Sequence, residues 1–336
     1  RLPDGKAIFV PFGIQGEKVE VEVVENRNKF ARGRILRVLD PSPLRIQPRC
    51  PHFSTCGGCH YQHLTYSDQL TLKQGIVKDQ LRRIGKIENP PVLPIMASPD
   101  QWNYRNTVQF HLSRNGRLGF QGIGNRGILE ISECHLPVTP INELWPRLEL
   151  DPEAGIQRVM LRCGSDEELL VGFESDRPQP PEFEVDFPLS VVFLRADDTL
   201  LLSGEDYSVM KVKERVFRVS APSFFQANLP IAEAMVEHLL TVLNLNSESN
   251  VIDAYCGVGL FSAFLAPKVN NLVAIELSES ACNDFATNLD EFENVSLYVG
   301  AVEEILPALE IPANIIILDP PRAGLEGSAL QSILRL

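Results

Sequence analysis

The chain has 336 residues, long for one domain and enough for two or three. Apolar residues make up 44% and charged residues 22%, the balance of a globular protein with material for more than one core. No apolar run approaches the length of a bilayer span and the first residues do not read as a signal peptide.

The net charge of −13 is an uneven sum. Residues 1–100 hold 15 Lys and Arg against 10 Asp and Glu, residues 151–250 hold 8 against 18, and residues 251–336 hold 3 against 12. A basic N-terminal third could grip a phosphate backbone, although ordinary solvated surface has the same composition. Seven cysteines without a secretory leader point to a reducing, cytoplasmic setting, where thiols serve metals or catalysis. The chain opens on Arg1 rather than Met, and residues 332–336 read as an unfinished helix, so both ends are expected to be cut.

Residues 1–45 read as strands. Val19, Val21 and Val23 alternate with Lys18, Glu20 and Glu22, and a second run follows at residues 34–39. A small OB-type β-barrel would suit this piece, with Arg27, Lys29, Arg32 and Arg34 crowding one loop and strand. A generic β-domain fits almost as well. Pro41-Ser42-Pro43 ends the block. Residues 66–84 are predicted helical, because Leu70, Val77, Leu81 and Ile84 recur at helical spacing. Residues 103–220, with runs such as Thr107–Leu112 and 191–194, read as an α+β region with a mainly antiparallel sheet. Residues 176–188 carry four prolines and read as a loop or sheet edge. From Ala221 the pattern alternates: helix at 231–243, strand at 251–253, strand at 272–275, helix at 278–290, and strands at Val295–Val299 and Ile315–Leu318. That is the rhythm of an open, largely parallel sheet.

Cys50, Cys56 and Cys59 are spaced C-x5-C-x2-C, and Cys134 follows. Three clustered thiolates plus one remote thiolate suit an iron–sulfur cluster. Structural zinc is the competing reading, although it favours two short Cys-x-x-Cys knuckles. His52, His60, His63 and His135 lie nearby and read as structural, since four thiols already complete a site.

Residues 251–261 run strand, Gly257-Val258-Gly259 turn, helix start. Such a turn lets a ligand approach the backbone at the carboxyl end of a strand, and Glu276, closing the next strand, could take both hydroxyls of a ribose. A dinucleotide site competes, but the third glycine of that fingerprint is absent, and Asp253 two residues before Tyr255 suits S-adenosylmethionine better. Asp319-Pro320-Pro321-Arg322 delivers a stiffened carboxylate at the end of another buried strand; a plain strand-to-helix turn is the alternative.

Together, Cys50…Cys56-Gly57-Gly58-Cys59-His60-Tyr61-Gln62-His63-Leu64, Ser223-Phe224-Phe225-Gln226-Ala227-Asn228, Asp253-Ala254-Tyr255-Cys256-Gly257-Val258-Gly259 and Asp319-Pro320-Pro321-Arg322-Ala323-Gly324 resemble the uracil-C5 RNA methyltransferases. The resemblance covers nearly the whole chain. It implies a multidomain α/β protein: a TRAM domain with an OB-like β-barrel (1–45), a central α+β iron–sulfur domain (46–220) and a Rossmann-like S-adenosylmethionine methyltransferase domain (221–336). It makes Cys50, Cys56, Cys59 and Cys134 ligands of a [4Fe-4S] cluster. It sets Gln226, Tyr255, Glu276 and Asp319 around S-adenosylmethionine and a flipped base, with Asp253, Gly257 and Gly259 shaping the loop. It also implies rRNA or tRNA as partner and a monomer. Ala301 stands where relatives carry an asparagine and Leu260 where some carry a polar residue, so those contacts are not carried over.

The chemistry needs a thiolate at uracil C6 and a base at the C5 proton. The family draws both from beyond the Asp-Pro-Pro-Arg helix, so no catalytic residue is expected before Leu336 and the 336 residues are expected to be inactive in methyl transfer. A non-catalytic iron–sulfur RNA-binding protein is the alternative. An amino-methyltransferase fits less well, because Arg322 stands where such enzymes place an aromatic.

Overall fold

A computed structural model describes residue 2 and residues 5–124, 127–185, 187–196 and 198–335. Arg1, Leu336 and, in the proline-rich segment, Asp186 lie outside the described residues. The N-terminal elements are β1 (Ala7–Phe9), β2 (Lys18–Asn26), β3 (Phe30–Asp40) and α1 (Tyr66–Arg83). The middle runs β4 (Thr107–Leu112), β5 (Leu118–Gln121), β6 (Ile128–Glu130), α2 (Thr139–Leu144), β7 (Arg158–Cys163), β8 (Leu169–Glu174), β9 (Ser190–Arg195), β10 (Asp198–Ser203), β11 (Tyr207–Val212) and β12 (Arg215–Ser220). The last third runs α3 (Leu229–Val242), β13 (Asn250–Ala254), α4 (Leu260–Leu265), β14 (Asn271–Glu276), α5 (Glu279–Asn288), β15 (Val295–Val299), α6 (Val302–Ile305), β16 (Ile315–Leu318) and α7 (Gly327–Ile333). Contacts divide the chain into two compact units, Arg1–Ala97 with Gly119–His135, and Ser98–Leu118 with Leu136–Leu336.

In the first unit, β3 pairs parallel to β1 and antiparallel to β2. The expected OB-like barrel is met only as this three-stranded sheet: among the described residues no strand joins β1 to β2 to close it. The long β2–β3 ribbon is interrupted by three register shifts, which add twist and bend. Its exposed face is a charge ladder, Glu20 with Arg37, Glu22 with Arg34, and Glu25 with Arg27 and Arg32. Of the basic residues read from the sequence, Arg32 and Arg34 therefore face carboxylates across the ribbon, and Arg27 pairs with Glu25 beside it. A buried ion pair ties the sheet to the following segment: Arg45 donates to both oxygens of Glu17, at 2.5 and 2.7 Å, and to the Phe12 carbonyl at 2.7 Å. Phe12, Phe53 and His63 stack beside it with ring centroids 5.0–6.0 Å apart.

Thr65 starts α1 as predicted for a capped helix, its hydroxyl accepting from the Asp68 amide at 3.3 Å. No residue of α1 is buried. Among the described residues no helix is long and apolar enough to cross a membrane.

In the second unit, β10-β9-β8-β7-β4 pair in that order. All these pairs are antiparallel except β8–β9, which is parallel. The proline-rich segment is the crossover that makes it so, since it must return the chain to the starting edge of β8 before β9 begins. The β11–β12 hairpin follows. The C-terminal sheet has the order β15-β14-β13-β16 with every pair parallel, as the alternating pattern predicts. The two central strands, β13 and β14, are buried on both faces and read as nearly continuous apolar runs, while the edge strand β15 is partly exposed. Val251, Leu272 and Ala274 pack with α3, α4, α5 and the hairpin residues Met210, Val212, Phe217 and Val219. Ile252, Ala254, Val273 and Ile275 pack on the other face against Val302, Leu306 and Ala329.

Candidate cofactor site

Strand β13 ends in a turn that only a particular residue pattern tolerates. Tyr255, Gly257 and Gly259 all take positive φ, at 64°, 56° and 93°. An added Cβ at Gly259 would lie 2.3 Å from Leu289 Cδ1 and 3.0 Å from Phe285 Cδ2, so the glycine there is demanded twice, by conformation and by the packing of α5. The turn is latched to β14: the amides of Tyr255 and Cys256 both donate to the Ile275 carbonyl, at 2.9 and 3.1 Å. Gly259 then caps α4.

Glu276 closes β14, and its carboxylate is fixed by three backbone amides. Gly257 donates to Oε2 at 2.9 Å, while Leu277 and Ser278 donate to Oε1 at 2.8 Å each. An acidic group so held needs no reorganisation to receive a pair of hydroxyls, because each oxygen keeps further lone-pair capacity. Asp253 is 1% exposed, and its Oδ2 accepts from the Ser262 hydroxyl at 2.6 Å. Its Oδ1 is buried without a hydrogen-bond partner among the described residues. Burial first, then the charges of Asp319 and Glu276, push its carboxyl up to about 7. Asp253, Glu276 and Asp319 are therefore gathered within electrostatic reach at the strand tips.

Asp319 follows β16, and its amide approaches the Ala254 carbonyl at 3.5 Å. Pro321 accepts from Gly324, which turns with φ 80°, so the segment after Asp319 folds back at once. The Tyr255 hydroxyl donates to Glu303 at 2.5 Å. Burial and that carboxylate raise Tyr255 to about 12, keeping it a hydrogen-bond donor. Gln226 sits in the loop between β12 and α3. The Asn106 side-chain amide donates to its carbonyl at 3.0 Å, and the Asn106 backbone amide donates to the Ala227 carbonyl at 3.0 Å.

Three residues of this region went unread in the sequence. Arg162 of β7 is 4% exposed and donates to the carbonyls of Val219, Ser220, Ala221 and Ser223. Asp284 of α5 is 1% exposed and accepts from the Ser220 amide and hydroxyl at 2.8 and 2.6 Å. Asn106 completes the set. A lone arginine inside the apolar run Val159-Met160-Leu161-Arg162-Cys163 was the available signal, because such a charge is retained only when its donors are met.

The four expected cluster ligands lie in the first unit and are all half-buried. The Cys56 loop packs on β5: the Gly57 amide donates to the Gln121 carbonyl at 3.0 Å, and a Cβ at Gly57 would meet that oxygen at 2.8 Å. Cys50, Cys56 and Cys59 feel one another's charge. Yet among the described residues no three His, Cys, Asp or Glu side chains are gathered as a metal ion requires. Burial raises Cys50 and Cys56. His52 has its own partner, receiving the Ser132 amide at 3.1 Å, and His63 stacks on Phe53, in line with structural roles.

A parallel α/β sheet with a glycine turn, an amide-held acid on the next strand and a further carboxylate on a third strand is the arrangement of a nucleotide-type cofactor-binding domain, and a small β-module precedes it in the chain. Residues 186–335 match the tRNA (Uracil-5-)-methyltransferase family and residues 1–36 match the TRAM domain. The chain is 31% identical over 373 residues to an uncharacterized RNA methyltransferase of Halalkalibacterium halodurans, covering 99% of this chain and 81% of that protein. It is 30% identical over 393 residues to another from Porphyromonas gingivalis, covering 98% and 84%. The chain belongs to the RNA methyltransferase family of these relatives, with an N-terminal TRAM domain and a C-terminal part that matches the tRNA (Uracil-5-)-methyltransferase model. Its fold is similar to that of the Pyrococcus abyssi tRNA (uracil-54, C5)-methyltransferase in complex with S-adenosyl-L-homocysteine, with a TM-score of 0.72, 22% identity, and coverage of 98% of this chain and 83% of that one.

Proposed function

We propose that the crevice at the tips of β13, β14 and β16 binds S-adenosylmethionine and that the reaction served is methylation of uracil C5 in rRNA or tRNA. The observation that carries this reading is the seating of Glu276 by the Gly257, Leu277 and Ser278 amides beside Asp253 and Asp319. Glu276 takes the ribose hydroxyls, and the positive-φ turn lets the cofactor lie against backbone. Gln226, Tyr255 and Asp319 line the methyl-donor and base side. The complex of the Pyrococcus abyssi protein with S-adenosyl-L-homocysteine and the uracil-5 family match support the same assignment.

Uracil C5 becomes nucleophilic only after a thiolate adds to C6. The resulting enolate takes the sulfonium methyl group; a base then removes the C5 proton and the C6–S bond breaks, restoring the ring and the thiolate. No cysteine here suits that role. Cys163 is buried and raised to about 12, and Cys256 is buried and raised well above its ordinary value. Cys282 is buried under α5, its Sγ 3.5 Å from the Glu276 carbonyl. The other four lie in the first unit. We therefore assign the attacking role to none of the three buried thiols, and expect these residues to bind cofactor without completing transfer.

RNA is gripped by the N-terminal β-module, with the target uridine flipped from a loop or single strand. Its exposed Arg–Glu pairs are each worth only about 0–1 kcal/mol, so an arginine can leave its carboxylate for a phosphate at little cost. The Cys50, Cys56, Cys59 and Cys134 set is assigned to a [4Fe-4S] cluster on donor chemistry and spacing; iron and sulfide assay with visible absorption tests it, and zinc alone or no metal would refute it.

Calorimetric titration with S-adenosylhomocysteine tests the cofactor reading. Binding is expected, with a loss of at least about tenfold in Glu276→Ala, the value of one charged hydrogen bond. No affinity, or an unaffected variant, defeats the proposal. Incorporation of labelled methyl into uridine-containing RNA by this chain would refute the missing nucleophile.

A further inference from the structure

We infer that Arg162 is a positioning residue that fixes Gln226 relative to Glu276, an inference that rests on the cofactor role proposed for that crevice. The guanidinium has five N–H donors, and five acceptors receive them. Nε donates to the Thr107 hydroxyl at 3.3 Å. One terminal nitrogen donates to the carbonyls of Val219 and Ser220, at 3.2 and 2.9 Å. The other donates to those of Ala221 and Ser223, at 3.4 and 2.7 Å. Four carbonyls of one five-residue stretch are thus held by a single side chain, immediately before Gln226.

The far side of the same stretch is held by Asp284. Its carboxylate takes the Ser220 amide and hydroxyl, so the Ser220 peptide is gripped between a buried cation and a buried anion. Asp284 belongs to α5, which starts directly after Glu276. The Ser223 hydroxyl also meets that of Ser280 on α5, at 3.0 Å. On the other flank Asn106 holds the carbonyls of Gln226 and Ala227, and Asn228 caps α3, its Oδ1 accepting from Ile231 at 3.2 Å. Gln226 is thus tied to β7 through Arg162 and to the residue before β4 through Asn106, and its loop is tied to α5 through Asp284 and Ser280.

All five donors go to neutral oxygens rather than to a carboxylate, so ion pairing is not what this side chain supplies, and a hydrophobic residue at position 162 would leave those acceptors without their donor. What the arginine adds is geometry. Its rigid fork fixes the directions of the carbonyls of one loop, and second-layer partners of this kind hold functional groups to within fractions of an ångström. Phe224 in the same loop is 71% exposed, while Ala221 and Phe225 are buried in the core on either side of it, so apolar packing leaves the carbonyl directions between them unset.

The test uses the whole chain with Arg162→Lys, which keeps the charge but has three donors rather than five, Gln226→Ala, and the double variant. Two readouts are taken: S-adenosylhomocysteine affinity, and amide hydrogen exchange across residues 219–228 without ligand. Arg162→Lys is expected to weaken binding about tenfold, the loss of one charged hydrogen bond, and to add nothing once Gln226 is alanine, as coupled residues do. It should also speed exchange in 219–228 about tenfold with no change in β14. Additive losses, or unchanged loop protection, would overturn the proposal. If the unaltered chain binds no S-adenosylhomocysteine, the cofactor reading fails by itself and the exchange result alone decides the role of Arg162. Asn106→Ser, which removes the bond to the Gln226 carbonyl without touching the buried charge, replaces Arg162→Lys should that variant not fold; the same non-additivity is expected of it.

Discussion

Replacing Gly259 and Gly257 separately with alanine isolates what the cofactor turn costs to build. Both residues sit at positive φ, 93° and 56°, where a Cβ is disfavoured by roughly 1–2 kcal/mol. At Gly257 nothing lies within 4 Å of the added methyl group, so the backbone term stands alone, partly offset by the lower entropy of the unfolded alanine chain, about 0.4–1 kcal/mol. At Gly259 the methyl group would lie 2.3 Å from Leu289 Cδ1 and 3.0 and 3.3 Å from two atoms of the Phe285 ring. Leu289 and Phe285 are buried themselves, so neither can swing into solvent, and overpacking adds about 1–3 kcal/mol. Gly259→Ala should therefore cost about 2–5 kcal/mol and Gly257→Ala about 1 kcal/mol. Urea unfolding followed by circular dichroism reads both as shifts in midpoint at constant slope. Equal losses for the two variants, or a Gly259→Ala midpoint matching the unaltered chain, would refute the packing argument.

The Asp253 carboxyl keeps its proton up to about pH 7 in the folded chain and loses it near 3.8 when exposed. Unfolding between those values releases a proton, so this group's contribution is fully present below pH 3.8 and is lost as pH rises through 7, on the order of 4 kcal/mol in all. Asp253→Asn should flatten the fall in stability across that window, and parallel pH profiles for the two proteins would contradict it. Glu17, held at about 2 by Arg45 and by the Ile14 and Ser42 amides, behaves oppositely: its contribution stands above pH 4.5 and disappears as pH falls towards 2. Glu17→Gln leaves Arg45 without its charge partner and should cost about 3 kcal/mol, read by denaturant unfolding; an unchanged midpoint counts against a structural pair. A thiol reagent at pH 8 should modify at most four of the seven cysteines in the folded chain, sparing buried Cys163, Cys256 and Cys282, and all seven after denaturation. Rapid labelling of Cys163, Cys256 or Cys282 would show that β7, the turn after β13 or α5, respectively, opens.

The C-terminal sheet was legible because each of its signals is local. The strands at Val295–Val299 and Ile315–Leu318 are found at those bounds, since short apolar runs between turn residues leave few other solutions. The helix expected at 278–290 is α5, with Ser278 as its cap and Leu289 ending it. Gly257 and Gly259 announce their turn because glycine meets a positive φ readily, whereas the positive φ of Tyr255 has no such signal in its residue type. The helix expected at 66–84 is also present as α1, its cap Thr65 being three residues ahead of Asp68. Its apolar positions, however, are not buried within its own unit, because helical period reports a face and not what covers that face.

What sequence pattern missed depends on partners far along the chain. The parallel pairing of β8 with β9 hides in residues 175–189, where four prolines read as a break although the chain is crossing over. The arginines of β3 read as a basic patch until the register set Glu20, Glu22 and Glu25 of β2 opposite them. Arg162 and Asp284 are the sharpest case. Each interrupts an apolar pattern, and alone each reads as a flaw in a strand or helix. They are 122 positions apart and meet only through Ser220, whose peptide one receives and the other donates to. The gain from that arrangement cannot be computed from either residue's neighbours, since a buried charge is costly until the last of its partners is in place. Local motifs therefore marked where a cofactor could lie, while the residues that hold the motif in shape became visible only when the fold brought their acceptors together.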